Sequence, residues 1–178
     1  MQTGAVDIDT PMRDLLGRLP GARRALFARY HLGGCRSCAF ADDETLAELC
    51  TRNGFDAREV LAHLLESERH DEALLMDARR AWEARDVLRF VDLRTREEYE
   101  AVRIAGSEFF TQDLQQQLFA GPRQAPILLY DHMGAGVLDQ VAWFRGHGLS
   151  GTYGLRGGID AWSAEVDPAV KRYRLEPV

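Results

Sequence analysis

Apolar residues recur at helical spacing through the first 65 positions and as short strand-like runs further on, and this change of rhythm predicts two regions. Thr10 ahead of Pro11 reads as an N-cap followed by proline at the first helical position, and Leu15, Leu16 and Leu19 give that helix an apolar face. Pro20 ends it and opens a second helix, packed through Ala25, Leu26, Ala28 and Tyr30, which Gly33-Gly34 breaks. Asp42 or Asp43 is expected to cap a third helix carrying Leu46, Leu49 and Cys50, with its end at Asn53-Gly54. Asp56 caps a fourth, with Val60, Leu61, Leu64 and Leu65 at helical spacing.

The run Glu66 to Glu72 (ESERHDE) holds neither Gly nor Pro, so it reads as the solvated end of a helix rather than as a flexible linker. The domain boundary is placed there, giving a helical domain over 1–68 and a second domain over 69–178. In the second, Leu74 to Trp82 reads as an amphipathic helix and Val87 to Leu93 as a strand. Thr95 to Val102 and Asp113 to Phe119 return to helix. Ala125 to Tyr130 (APILLY) has the continuous apolar character of a strand buried on both faces. A helix over Val137 to Gly146 and a strand over Gly151 to Leu155 follow. Strands alternating with helices imply a central parallel sheet covered on both sides, so the fold class is a small helical bundle followed by an α/β domain. Trp143, Phe144 and Trp162 are expected in its core.

Charge narrows the function classes. The chain carries 22 Lys and Arg against 28 Asp and Glu, a net charge of −6, which argues against a nucleic-acid partner because phosphate backbones need a basic face. No apolar run reaches the length of a membrane span, and the first ten residues lack the basic and apolar regions of a secretory signal. No membrane partner is therefore expected, and a cytoplasmic location is. In that reducing compartment the three cysteines do not read as a disulfide framework.

The loop Asp131-His132-Met133-Gly134-Ala135-Gly136 leaves the buried strand and enters a helix at Val137. In a parallel sheet that crevice is where ligands bind, and such a loop aims several backbone N–H groups at one point. Around it, Val91-Asp92-Leu93-Arg94, Glu97-Glu98-Tyr99-Glu100, Arg103-Ile104-Ala105-Gly106-Ser107 and Leu155-Arg156-Gly157-Gly158-Ile159-Asp160-Ala161-Trp162 follow in order. In these blocks the C-terminal half resembles the rhodanese-like family. The resemblance implies a catalytic cysteine opening the loop, in a Cys-x-x-Gly-x-Arg-Ser pattern, whose thiolate accepts sulfane sulfur. Here Asp131 stands at the cysteine position, Gly136 at the arginine and Val137 at the hydroxyl residue, and Arg103 replaces a usual histidine. A carboxylate cannot accept and return sulfur as a thiolate does, so ordinary sulfurtransferase activity is not expected.

Three readings of Asp131 stay open. Its carboxylate can fill the cradle by accepting the loop N–H groups, which fits the simultaneous loss of the arginine. With His132 it can act as a metal ligand or general base, as a metal-dependent hydrolase would require. It can also serve as a phosphoryl or acyl nucleophile, though no P-loop or second carboxylate motif accompanies it.

In the helical half, Cys35 and Cys38 are spaced C-x-x-C around Arg36, close enough to form a small disulfide or clamp one metal. His31 with Cys35, Cys38 and Cys50 would complete a Cys₃His set, but no second C-x-x-C supports zinc. Cys50, among leucines on a helix, reads as a core residue. Ala28-Arg29-Tyr30-His31, Gly33-Gly34-Cys35, Cys38, Leu46-Ala47-Glu48-Leu49-Cys50, Asn53-Gly54-Phe55-Asp56 and Val60-Leu61 resemble a helical domain found beside hybrid-cluster proteins and at the N-terminus of iron–sulfur-cluster repair proteins. That resemblance implies thiol redox or nitrosative-stress chemistry.

The expectation is a redox-sensitive helical module fused to a non-catalytic rhodanese-like module, acting in sulfur- or redox-related sensing through an unidentified protein partner, with no cofactor. The alternatives are an enzyme that uses Cys35 or Cys38 as sulfur or disulfide carrier, and a hydrolase at Asp131.

Overall fold

A computed structural model describes residues 6–33 and 40–174. The chain divides into two compact units, Met1–Glu72 and Ala73–Val178. In the first, α1 (Met12–Arg18), α2 (Ala22–Tyr30), α3 (Leu46–Asn53) and α4 (Ala57–Ala73) close around Met12, Leu15, Leu26, Leu46, Leu49, Val60 and Leu64. The charged run 66–72 is helical throughout, as its lack of Gly and Pro implied.

The caps differ from expectation in two places. The Thr10 hydroxyl bonds back to Asp7 (2.9 Å), so Pro11 takes the N-cap position of α1 without a side-chain bond. The third helix is capped not by Asp42 or Asp43 but by Thr45, whose hydroxyl accepts from the Glu48 N–H while the Glu48 carboxylate accepts from the Thr45 N–H. That reciprocal pair satisfies two backbone donors at once, which a lone aspartate two residues earlier cannot do. Gly54 ends α3 in the left-handed region at φ 75°. Ala28, expected to pack, faces outward on α2.

The second unit contains β1 (Leu75–Met76), α5 (Ala78–Glu83), β2 (Arg89–Asp92), α6 (Arg96–Ala101), β3 (Glu108–Phe109), α7 (Gln112–Ala120), β4 (Ile127–Tyr130), α8 (Val137–Gly146), β5 (Thr152–Leu155) and α9 (Gly158–Glu165). The five strands form one sheet in the order β1-β5-β4-β2-β3, and every pairing is parallel. The expected helix over Leu74 to Trp82 is therefore corrected at its start. Leu75 and Met76 add an edge strand because the Leu74 and Met76 carbonyls accept from the Gly154 and Arg156 N–H groups (2.9 Å each), and only then does Asp77 cap α5. Tertiary pairing here overrides an apolar spacing that fits a helix.

Alternation along the strands separates two cores. Phe90, Leu128, Tyr130 and Leu155 pack with Ile159 and Trp162 on one face. Val91, Ile127 and Leu129 pack with Leu114, Val141 and Phe144 on the other. All four residues of β4 are buried, as a strand covered on both sides must be. Phe144 and Trp162 are core residues as expected. Trp143 is not: it is 40% exposed, its ring edge-on to Phe119 (5.5 Å) and against His147 (4.3 Å).

Candidate functional site

Because the sheet is parallel, β4 delivers Tyr130 to the end of the sheet where the chain must turn into α8, and the turn is the loop 131–136. Asp131 folds its carboxylate back into that turn. One oxygen accepts the Gly134 N–H, and the other accepts the Gly136 N–H at 2.8 Å. Gly134 adopts φ 81°, a conformation that glycine tolerates and other residues rarely adopt.

A second pair of glycines holds the loop from below. The Asp131 and His132 carbonyls accept the Ile159 and Asp160 N–H groups (2.9 and 3.1 Å), so the first turn of α9 gives its unpaired donors to the loop backbone. That approach leaves no room for side chains. A Cβ on Gly158 would sit 2.4 Å from the Asp131 carbonyl oxygen, and one on Gly134 would sit 2.7 Å from the Gly157 nitrogen. The Gly157-Gly158 step thus lets one backbone lie on another.

His132 leaves the cradle rather than joining Asp131. Its ring stacks on Tyr173 (4.2 Å between centroids, 9° between planes), with Nε2 3.2 Å from the Tyr173 carbonyl oxygen. Tyr173 in turn donates its hydroxyl to Glu98 and accepts from Arg94 Nη1 at 2.8 Å. Arg94 is fully buried against Asp92, with contacts of 2.9 and 2.5 Å, and also donates to the Val102 carbonyl (2.7 Å). Burial works to lower the Arg94 pKa, but the bonds to Asp92 and Tyr173 hold it above the ordinary arginine value. Burial and the bond to Glu98 push the Tyr173 hydroxyl up to about 12. Burial also acts to raise Glu98, and the Tyr173 and Thr95 hydrogen bonds outweigh it and leave its carboxyl below the usual range. Beside this network the Tyr130 hydroxyl donates to Ser107 (2.9 Å), and burial, then the charge of Asp92, raises its pKa.

Leu93, Phe110, Asp131, Gly136 and Gln140 enclose a hollow of about 300 Å³ at the loop. Phe110 and Gln140 also line a neighbouring hollow of about 300 Å³, completed by Gln115, Asp139 and Trp143. Met133, at the loop's tip, is 64% exposed.

Of the candidate residues in the sequence, the structure brings Asp131, Gly134 and Gly136 together and turns His132 away. Cys35 and Cys38 lie outside the described residues. Cys50 is fully buried in the helical core, and burial, then the nearby Asp56, raises its thiol pKa. His31 closes α2 in the left-handed region (φ 56°), its ring edge-on to Phe27. Among the described residues no three His, Cys, Asp or Glu side chains gather in a way that could hold a metal ion. Tyr173 escaped the sequence reading because it follows the last recognisable block with no pattern of its own. The Gly157-Gly158 pair was visible as letters, but its role came only with the loop it supports.

Several solved structures are similar to part of this chain. A rhodanese-related protein of Thermoplasma volcanium is 21% identical over 51% of this chain and 91% of its own, with a TM-score of 0.45. A Bacillus halodurans protein is 20% identical over 62% and 82%, with a TM-score of 0.46. A rhodanese-like domain protein of Staphylococcus aureus is 16% identical over 56% and 98%, with a TM-score of 0.45. No curated protein matches the chain. The profile of the Rhodanese-like domain family matches residues 57–165, from the first residue of α4 to the last of α9. With more than half of its length matched in this way, the chain belongs to the rhodanese-like domain family.

Proposed function

We propose that the α/β unit is a non-catalytic rhodanese-like module that binds a protein partner in a sulfur- or redox-related process, and that the helical unit supplies a dithiol at Cys35 and Cys38. The family match supports a sulfur- or redox-related module at the level of the family. The single observation that carries the finer reading is the occupation of the loop by its own carboxylate: Asp131 accepts the Gly134 and Gly136 N–H groups that would otherwise point at a ligand. A cradle filled in this way has little use for an incoming anion, and position 136, where the family carries its arginine, is glycine. His132, engaged with Tyr173, is not presented to Asp131 as a proton-transfer partner. The exposed Met133 in the loop and Trp143 on the wall of the neighbouring hollow offer apolar surface of the kind partner proteins use.

The test is sulfur transfer from thiosulfate to cyanide, run beside thiol-trapped intact-mass analysis. The unaltered protein is expected to transfer no sulfur above the protein-free rate, and to lose two hydrogens at Cys35–Cys38 on mild oxidation, reversibly with reductant. Transfer that survives Cys35→Ala with Cys38→Ala but vanishes in Asp131→Ala would overturn the non-catalytic reading. One additional sulfur on Cys35 or Cys38 would replace the dithiol with a persulfide carrier.

A further inference from the structure

The segment that follows α9 doubles back along that helix. The Val170 carbonyl accepts the Ser163 hydroxyl, and Arg172 pairs with Asp160 through two bonds of 2.7 Å. Each step along the segment thus meets a residue nearer the start of α9, and Tyr173 arrives beside His132 of the loop.

Its anchoring weakens along its length. Val170 is buried in the core with Phe90 and Trp162. Beyond it, residues 171–174 form neither helix nor strand, and among the described residues none of their backbone groups bonds to another backbone group. Two side chains hold this stretch: Arg172, itself 60% exposed, and Tyr173. A segment anchored so sparsely opens locally at much lower cost than the sheet does.

Both anchors converge on one loop residue. Tyr173 stacks on the His132 ring (4.2 Å, 9°), and its carbonyl oxygen lies 3.2 Å from His132 Nε2. Asp160, whose carboxylate holds Arg172, donates its N–H to the His132 carbonyl (3.1 Å). His132 stands between Asp131 and the two glycines whose N–H groups the Asp131 carboxylate accepts. A sparsely anchored segment therefore grips the loop at the residue next to its internal carboxylate.

We propose that residues 171–174 form a releasable strap that locks the loop through the stacking of Tyr173 on His132, so that the Gly134 and Gly136 N–H groups part from Asp131 far more readily once Tyr173 has detached. This coupling holds whether or not the loop serves a protein partner, so it can fail while the sulfur-transfer result stands.

The test is exchange of the Gly134 and Gly136 amide protons with water, followed by NMR in the ¹⁵N-labelled full chain. Leu128 and Leu129 of β4 report any opening of the sheet. Tyr173→Leu removes the ring and is expected to speed exchange at both glycines about tenfold relative to Leu128 and Leu129. Tyr173→Phe keeps the ring and loses only the hydroxyl bonds to Arg94 and Glu98, so its glycine exchange should stay close to that of the unaltered chain. Arg172→Gln loosens the strap without touching Arg94 and should speed exchange by a smaller factor. Asp131→Ala, which removes the acceptor itself, sets the rate of the open loop. Glycine exchange that is unchanged in Tyr173→Leu, or that rises only in step with Leu128 and Leu129, would overturn the proposal. Exchange as fast in Tyr173→Phe as in Tyr173→Leu would also overturn it, because the hydroxyl bonds rather than the stack would then hold the loop.

Discussion

Each unit buries an aspartate against an arginine, but the two pairs are built differently. In the α/β unit Asp92 and Arg94 are two residues apart where β2 ends, and their side chains are 0% and 2% exposed. In the helical unit Asp71 and Arg24 meet at 2.5 Å from α4 and α2, 47 residues apart, with Asp71 5% and Arg24 30% exposed. The first pair is sealed and further tied to Tyr173 and the Val102 carbonyl, so it ties the start of the α6 segment to the chain's last described residues. The second remains partly open to water and has another carboxylate beside it. Glu68, which accepts the Gly21 N–H, has its pKa raised by burial first, then by the charges of Asp71 and Glu72. One type of ion pair thus serves as a sealed strut in one unit and, in the other, stays partly open to water beside a second carboxylate.

Breaking the two pairs should separate them. Arg94→Ala strands the Asp92 charge in a sealed site and is expected to cost about 3–5 kcal/mol in chemical denaturation. Gly158→Ala should cost about 2–3 kcal/mol in the same measurement, because its φ of 60° is strained for alanine and its Cβ would strike the Asp131 carbonyl. Arg24→Ala, whose loss water partly compensates, should cost only about 1–2 kcal/mol. A cost for Arg24→Ala equal to that of Arg94→Ala would remove the distinction.

The smallest expected effect is in pH dependence. A carboxyl whose pKa is raised by folding binds its proton more tightly in the folded state. Glu68 therefore contributes stability below the ordinary glutamate value that is lost as pH rises through its raised folded value. Glu98 and Glu108 run the other way: their pKa values are lowered, so their contribution is present above the ordinary value and lost as pH falls through the folded one. Asp71→Asn should move the Glu68 titration, followed by carboxyl NMR, downward and leave Glu98 where it was. An unmoved Glu68 would mean that the Asp71 charge has no part in setting its value.

The α/β fold class was legible because strand and helix periods differ and because β4 is apolar on every residue, which only a strand covered on both faces requires. The blocks around Asp92-Arg94 and Gly157-Gly158 were legible only through their resemblance to the rhodanese-like family, and the close approach that Gly158 permits is to a loop more than twenty residues away. The strand at Leu75–Met76 was not, because two residues carry no period and only the Gly154 and Arg156 donors make them a strand. Trp143 read as core for want of any signal about which face of α8 would be covered.

At the loop, the sequence by itself determined the residue types, a carboxylate at position 131 followed by glycines at 134 and 136. Tertiary structure decided where that carboxylate points and what surrounds it. The Asp131 bonds to Gly134 and Gly136 depend on a loop conformation fixed by the backbone of α9, more than twenty residues away in sequence. The engagement of His132 by Tyr173 spans 41 residues. Residue type is local information, whereas orientation and burial arise only when distant segments pack, because no local pattern encodes which distant donor will be within hydrogen-bond reach.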